Sequence, residues 1–107
     1  MQLSEIQKNI YEMYIHHDSK RGVEKTLEWF LTEVYELYSA VKEGSEIGGE
    51  AADVLAWLLS LCNLLDIDLE KEFMEKYGDK CPKCRTYPCR CEYRETPNKR
   101  VKISRIQ

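Results

Sequence analysis

The sequence has no apolar run long enough to cross a membrane. Its longest run, Val54–Leu65, is interrupted by Ser60 and Asn63 and is shorter than the roughly 20 residues that a spanning helix needs. The N-terminal stretch MQLSEIQKNI lacks a basic region followed by an apolar one, so a signal peptide is not expected. Internal repeats and low-complexity tracts are also missing. We therefore expect a soluble, cytoplasmic protein with no membrane partner.

Positive charge is scarce in the first 80 residues, which hold 8 Lys/Arg against 17 Asp/Glu, a net charge of −9. Residues 81–107 hold 8 Lys/Arg against 2 Asp/Glu, a net charge of +6. An acidic body is a poor ligand for nucleic acid, whereas a basic arm attracts anions or the body itself. A chain of 107 residues fits one domain and a small appendage. We predict a helical domain over 1–80 and a Cys-rich knuckle with a basic tail over 81–107.

Apolar residues recur at helical spacing and predict an all-α bundle of about four helices. The predicted bounds are Ser4 to Tyr14 or His16, Val23–Glu43, Glu50–Leu64, and a fourth helix that is capped by Asp66 or Asp68 and ends at Gly78. A polar loop is expected between His16 and Gly22. The third helix is apolar on more faces than three short partners can cover, so a homo-oligomer, dimer or tetramer, is predicted. A compact monomer with a fully buried third helix is the alternative.

Two carboxylate pairs, each with members three residues apart, lie on the second and third helices. They are Glu33/Glu36 in TEVYEL and Glu50/Asp53 in GEAADVL, and residues at i and i+3 are neighbours on a helix. If the helices fold back near Gly44, the pairs meet to within about one helical turn, roughly 5 Å. Four converging carboxylates repel one another, and Mg²⁺ or Mn²⁺ can resolve that repulsion. The alternative is a set of solvated acids on an acidic chain.

Further features surround these four residues, which we call the acidic cluster. They are His17-Asp18, Arg21-Gly22, Thr26, the leucines that flank the acidic motifs, IDLEKEF and Lys76. Over residues 15–80 the chain resembles the MazG-like all-α nucleoside triphosphate pyrophosphohydrolases. The resemblance implies a helical bundle, usually oligomeric, that holds Mg²⁺ on the acidic cluster. It also implies hydrolysis of the α–β phosphoanhydride of a (deoxy)nucleoside triphosphate to monophosphate and pyrophosphate.

The same resemblance assigns roles by position. The acidic cluster supplies the catalytic metal ligands, and Lys76 contacts phosphate. Lys80 stands near a position where the family often has an asparagine, and it is a second candidate for substrate binding. Thr32 precedes Glu33, whereas many members carry a second glutamate there. Either Glu33 or Glu36 is the candidate to orient the attacking water.

Aromatic residues near the acidic motifs could stack on a nucleobase. The candidates are Trp29, Tyr35, Tyr38 and Trp57, although aromatics at helical spacing belong more often to a core, which is the interpretation that we favour. His16 and His17 are expected to be loop residues without a metal or substrate role, because no second-motif histidine or carboxylate is spaced to support one.

Four of the five cysteines lie within eleven residues, as Cys81-Pro-Lys-Cys84 and Cys89-Arg-Cys91. In a reducing cytosol this density favours a structural Zn²⁺ site, although the spacing is tighter than in most zinc ribbons. A disulfide, free thiols or redox sensing are the alternatives. Cys62, on the third helix, is expected to be a small core residue.

The basic tail, Tyr93–Gln107, alternates apolar and basic residues near its end, as in Val101-Lys102-Ile103. A short strand, a docking segment and disorder are all compatible with that pattern. The tail could also contribute Arg or Lys to phosphate binding at the acidic cluster.

Two functions follow from these features. The first is a Mg²⁺-dependent nucleotide pyrophosphohydrolase that acts on a small-molecule nucleotide, with no nucleic-acid partner. The second is a non-catalytic oligomeric helical platform whose zinc knuckle and basic tail bind nucleic acid.

Overall fold

Four α-helices account for the regular structure of residues 1–97. The structure is a computed structural model that describes residues 1–97. Over that range the helices are α1 (Leu3–Arg21), α2 (Val23–Glu43), α3 (Ile47–Leu64) and α4 (Leu69–Lys76), and no strand is present. The all-α prediction with about four helices is therefore confirmed. The alternating pattern at Val101–Ile103 lies outside the described residues.

The first helix is longer than the sequence pattern predicted. The segment from His16 to Arg21, expected to be a loop, forms the last turns of α1. Its polar side chains bond within the helix: Arg21 Nη1 donates to Asp18 Oδ1 at 2.9 Å, and Ser19 Oγ donates to the Ile15 carbonyl at 2.7 Å. Gly22 then separates α1 from α2, with a φ of 86° that favours glycine. The connection between the two helices is thus a single residue.

The third helix begins earlier than predicted. It starts at Ile47 rather than Glu50, so Gly48 and Gly49 lie inside its first turn. The Glu50 N–H donates to the Glu46 carbonyl at 3.0 Å and closes that turn. Glycine costs up to about 1 kcal/mol relative to alanine in a helix interior, but contacts of α3 with both α2 and α1 stabilise the rest of the element. Gly44, with φ of 77°, ends α2 as predicted.

The apolar core is small and lies along α3. Its fully or nearly buried members are Ala40, Leu59 and Cys62, so the prediction that Cys62 is a core residue is confirmed. By length and composition α3 could cross a membrane, with a mean hydropathy of 1.3, although the sequence predicted no such segment. Core helices of soluble proteins meet the same criterion. Because α3 packs on two other helices and carries two acids, its composition is weak support for a membrane span.

Most of the predicted core stripe of α2 is exposed in the single chain. Leu27, Leu31, Val34, Tyr38 and Val41 are between 40% and 59% exposed. Trp29 and Tyr35 are exposed as well, so the core interpretation is wrong for these aromatics within one chain. The physical reason is that α3 covers one side of α2, while α1 makes only limited contact with it. A band of apolar side chains therefore faces solvent along α2.

A buried glutamine ties α1 to the loop between α3 and α4. Gln7 Nε2 donates to Asn63 Oδ1 at 2.9 Å and to the Ile67 carbonyl at 2.7 Å. Its Oε1 accepts from the Leu69 N–H at 3.1 Å, and Asn63 Nδ2 donates to the Gln7 carbonyl at 3.3 Å. Gln7 thus satisfies backbone groups at the start of α4, where Asp68 supplies the N-cap.

Candidate active site

The α2–α3 hairpin brings carboxylates from both helices together. One oxygen from each of Glu33, Glu50 and Asp53 lies within 4.8 Å of the others. Glu33 is 8% exposed, Glu50 is half-buried and Asp53 is exposed. Positions that are equidistant from the turn at Gly44 face each other across an antiparallel hairpin, so the ExxE and ExxD motifs meet at one level.

The fourth member, Glu36, is exposed and does not belong to the group that lies within 4.8 Å. Its negative charge nevertheless raises the pKa of both Glu33 and Glu50. Burial, then the negative charge of Glu36, raises the pKa of Glu33 above its ordinary value of 4.5, and Asp53 adds to this effect. Burial and the charges of Glu36 and Asp53, in that order, also raise the pKa of Glu50. Among the residues that the structure describes, no Lys or Arg contributes to either pKa shift.

One oxygen in this group has no protein partner. Glu50 Oε2 is buried without a hydrogen bond in the described part of the chain. A buried carboxylate oxygen without a donor is costly, and neighbouring acids increase that cost. Mg²⁺ and Mn²⁺ prefer oxygen ligands of this kind. The residues present therefore fit a hard divalent cation.

Two tryptophans and an arginine pack against one another beside the acids. Trp29 on α2 stacks on Trp57 on α3 with ring centroids 4.9 Å apart and planes 8° from parallel. Trp29 Nε1 donates to Glu33 Oε2 at 3.2 Å, and this bond opposes the rise in the pKa of Glu33. The Arg21 guanidinium lies 4.7 Å from the Trp57 centroid. The aromatic pair thus orients one metal-ligand candidate.

Arg21 is held by Asp18, for which the sequence predicted no role. Asp18 is 2% exposed, and its Oδ1 accepts from Arg21 Nη1 at 2.9 Å. Arg21 Nη1 also lies 3.3 Å from the Thr26 hydroxyl, which joins the end of α1 to the start of α2. The signal in the sequence was an aspartate and an arginine three residues apart, which is visible only if the segment is taken to be helical.

A cavity of about 230 Å³ opens between α1 and α3 next to these residues. Its lining includes Tyr14, His17, Arg21, Asp53 and Trp57. His17, expected to lie in a loop, is therefore on α1 and borders a cavity that also contains an acid of the cluster. His16 lies against His17, with ring centroids 4.0 Å apart.

These features can be compared with known protein families. A family model described as the MazG nucleotide pyrophosphohydrolase domain matches residues 21–85, more than half of the chain. The chain belongs to the MazG family. No curated protein matches it. The match includes α2, α3, α4 and every member of the acidic cluster, whereas most of α1 lies before it.

The lysine candidates of this MazG domain lie apart from the acids. Lys76 ends α4, with its Nζ 5.9 Å from the Tyr77 ring centroid. Lys76 and Lys80 line a separate cleft of about 300 Å³ at the end of α4. Within residues 1–97 a single chain does not bring either lysine close enough to shift the pKa of Glu33 or Glu50.

Tyr35 and Tyr38, the other two aromatic candidates on α2, stack on each other with ring centroids 6.2 Å apart.

The four clustered cysteines of the MazG chain come together after α4. Sulfur atoms of Cys81, Cys84, Cys89 and Cys91 all lie within 4.8 Å of one another, and all four cysteines are free. Hydrogen bonds from the Thr86 hydroxyl and the Arg90 N–H lower the pKa of Cys84 to about 5. Hydrogen bonds with its cysteine neighbours raise the pKa of Cys91 to about 12. The segment can therefore form a metal-binding knuckle.

Proposed function

We propose that this MazG protein is a Mg²⁺-dependent nucleotide pyrophosphohydrolase that converts a (deoxy)nucleoside triphosphate to monophosphate and pyrophosphate. Membership of the family supports a hydrolase of this class. The observation that carries the proposal is the convergence of Glu33, Glu50 and Asp53 within 4.8 Å. Because the proposed substrate belongs to the nucleotide pool, we place the protein in the cytoplasm.

The acidic cluster is the proposed Mg²⁺ or Mn²⁺ site. Its residues fit a dication because, within residues 1–97, Glu50 Oε2 is buried without a donor and no lysine or arginine is among the groups that shift the pKa of Glu33 or Glu50. Such an ion would neutralise phosphate charge and lower the pKa of a nearby water, so that the water could lose a proton and attack phosphorus.

The remaining roles belong to side chains of the chain itself. Glu33, fixed by Trp29, or the exposed Glu36 orients the attacking water. Lys76 and Lys80 are proposed phosphate contacts. Because they line a separate cleft and do not shift the pKa of Glu33 or Glu50, we propose that a second copy of the chain or a movement of α4 brings them to the substrate.

The exposed side of α2 offers a surface on which a second copy of the chain can pack. The exposed α2 stripe consists of Leu27, Leu31, Val34, Tyr38 and Val41, whose alternating four- and three-residue spacing forms one continuous apolar face. Exposed apolar bands of this kind mark interaction surfaces. We propose that it packs against the same band of another chain, giving a dimer or a tetramer.

The activity is tested by incubating the full chain with a panel of canonical and damaged (d)NTPs, with and without Mg²⁺. We expect Mg²⁺-dependent release of pyrophosphate, and not of orthophosphate, from at least one nucleotide. Glu50→Gln keeps the size of the side chain and removes its charge, so we expect a loss of at least a hundredfold in rate. Glu12→Gln, an exposed change on α1, should leave the rate unchanged.

Three results would contradict the proposal: orthophosphate as the product, equal rates in EDTA, or full activity in Glu50→Gln. Salt-sensitive binding of nucleic acid to residues 81–107 by a chain that hydrolyses no nucleotide would favour the non-catalytic platform instead.

A further inference from the structure

The cysteine cluster (Cys81, Cys84, Cys89 and Cys91) lies beyond α4, and the proposed hydrolysis does not use it. Two of its sulfur pairs are in contact: Cys81 Sγ and Cys91 Sγ are 3.7 Å apart, and Cys84 Sγ and Cys89 Sγ are 3.9 Å apart. A disulfide needs about 2.0 Å between sulfurs, so neither pair is bonded. The arrangement is compact without being cross-linked.

These distances match the size of a site for a single ion. Zn²⁺ binds thiolate sulfur at about 2.3 Å, and a tetrahedron with that radius places its sulfurs about 3.8 Å apart. The observed contacts of 3.7 and 3.9 Å lie on either side of that value. In a four-iron cluster each cysteine binds a different iron, which spreads the sulfurs more widely than the 4.8 Å limit that this group satisfies.

The backbone around the cluster is shaped to face sulfur. The Arg90 N–H donates to Cys84 Sγ and the Cys91 N–H donates to Cys89 Sγ, each at 3.3 Å. A tight turn joins the first two cysteines, because the Arg85 N–H donates to the Cys81 carbonyl at 2.8 Å. Amide groups that point at sulfur stabilise negative charge on it.

The segment has no apolar core that could hold it in this shape. None of residues 71–97 is buried, and in the stretch after α4 only Cys81, Cys84 and Thr86 are even half-buried. A loop of this length that lacks a core requires another source of folding free energy. In small metal-binding modules the binding free energy of the ion supplies it.

We propose that Cys81, Cys84, Cys89 and Cys91 bind one Zn²⁺ as a closed structural site. Four protein ligands leave no open position for water or substrate, so the ion stabilises the fold of this segment and takes no part in hydrolysis. Thiolates favour zinc over the hard cations that suit the acidic cluster, so the two sites select different metals. Binding displaces the thiol protons, and no oxidant or reductant is involved.

The first test measures the metal content of the full chain purified under reducing conditions from zinc-supplemented medium. We expect one zinc per chain by inductively coupled plasma mass spectrometry. Replacement by Co²⁺ should give the intense sulfur-to-cobalt charge-transfer band and visible bands of a tetrahedral tetrathiolate. A chain that contains no zinc, that contains iron, or that has disulfides in place of four titratable thiols would overturn the proposal.

Variants separate the cluster from other thiols. Cys84→Ser and Cys91→Ser should each lower zinc content at least tenfold, whereas Cys62→Ala, which removes a buried thiol of α3, should keep one zinc. Because the serine variants could fold poorly, the EDTA-treated wild-type chain provides a second test. Adding Zn²⁺ to it should protect residues 81–91 from proteolysis, and an unchanged cleavage rate would also refute the proposal. Neither measurement depends on nucleotide hydrolysis.

Discussion

Glu50 has a buried oxygen without a hydrogen-bond partner and three acidic neighbours. This arrangement should make the stability of the fold depend on pH. Because the pKa values of Glu33 and Glu50 are raised above 4.5 in the folded chain, folding favours their protonated forms. The stability that this preference adds is fully present below the pKa that the two groups have in the unfolded chain. It is lost as the pH rises through their pKa in the folded chain. In EDTA, the melting temperature should therefore decline as pH rises from about 4.5 toward neutrality.

Circular dichroism melts over that pH range provide the measurement. Glu50→Gln should flatten the decline, and Glu12→Gln should not. Mg²⁺ should restore stability at neutral pH, by about 2.7 kcal/mol when its concentration is one hundred times its dissociation constant. A wild-type melting temperature that rises with pH in EDTA, or fails to respond to Mg²⁺, would contradict the assignment of a buried acidic metal site.

Trp29 should influence Mg²⁺ binding at the acidic cluster through its hydrogen bond to Glu33. Trp29→Phe keeps an aromatic ring against Trp57 but removes the N–H that stabilises the Glu33 carboxylate. Because this bond fixes the orientation of the Glu33 carboxylate, its loss should weaken Mg²⁺ binding on the order of fivefold, or about 1 kcal/mol. Isothermal titration with Mg²⁺ measures the change. Tyr35→Phe, on the same helix, should bind as the wild type does.

At the level of single residues, the sequence predicted the acids better than their surroundings. The ExxE and ExxD spacing depends only on helix geometry and on the turn at Gly44, so the meeting of Glu33 with Asp53 could be inferred. The contact between Trp29 and Trp57 depends on how α2 rotates against α3, which periodicity does not determine. The pairing of Asp18 with Arg21 was hidden because the segment looked like a loop.

The helices show the same division between local and tertiary causes. Their number and type followed from apolar spacing, and Gly44 marked the end of α2. The predicted end of α1 was wrong because side-chain bonds of Arg21 and Ser19 continue that helix to Arg21. The predicted start of α3 was wrong because the bond from the Glu50 N–H to the Glu46 carbonyl closes a turn that includes Gly48 and Gly49. The role of Gln7 could not be predicted, because one polar residue on an amphipathic helix usually faces solvent, whereas here Gln7 bonds Asn63, the Ile67 carbonyl and the Leu69 N–H.

Gln7→Ala tests how firmly α1 fixes the start of α4. The change leaves Asn63, the Ile67 carbonyl and the Leu69 N–H without their partner in a partly buried site. An unsatisfied buried group costs about 1–3 kcal/mol, and each kcal/mol lowers the melting temperature of a small domain by about 4–8 °C. Thermal and urea denaturation measure the loss. Lys8→Ala, at the exposed neighbouring position, should change stability by less than about 0.5 kcal/mol.

For the molecule as a whole, the surplus of apolar surface is the dominant feature. The sequence indicated that three short helices could not cover α3, and the structure adds that α2 is also left with an uncovered band. The charge imbalance points in a similar direction, because residues 1–80 carry a net charge of −9 and residues 81–107 one of +6. Both features favour contacts between chains, and the apolar band is the one that a substitution can test.

Leu31 is the most exposed member of the α2 stripe, at 59% in the single chain. Leu31→Arg should weaken self-association about thirtyfold, as expected when an apolar interface residue that contributes about 2 kcal/mol is lost. Met13→Arg adds the same charge on α1 at 53% exposure and should leave association unchanged. Sedimentation velocity over a range of concentrations distinguishes the two. If both variants associate as the wild type does, or if the wild type is a monomer, α2 is not the interface. If Leu31→Arg also loses hydrolysis while it keeps its helicity and its Mg²⁺ binding, Lys76 and Lys80 act on a triphosphate held by another chain.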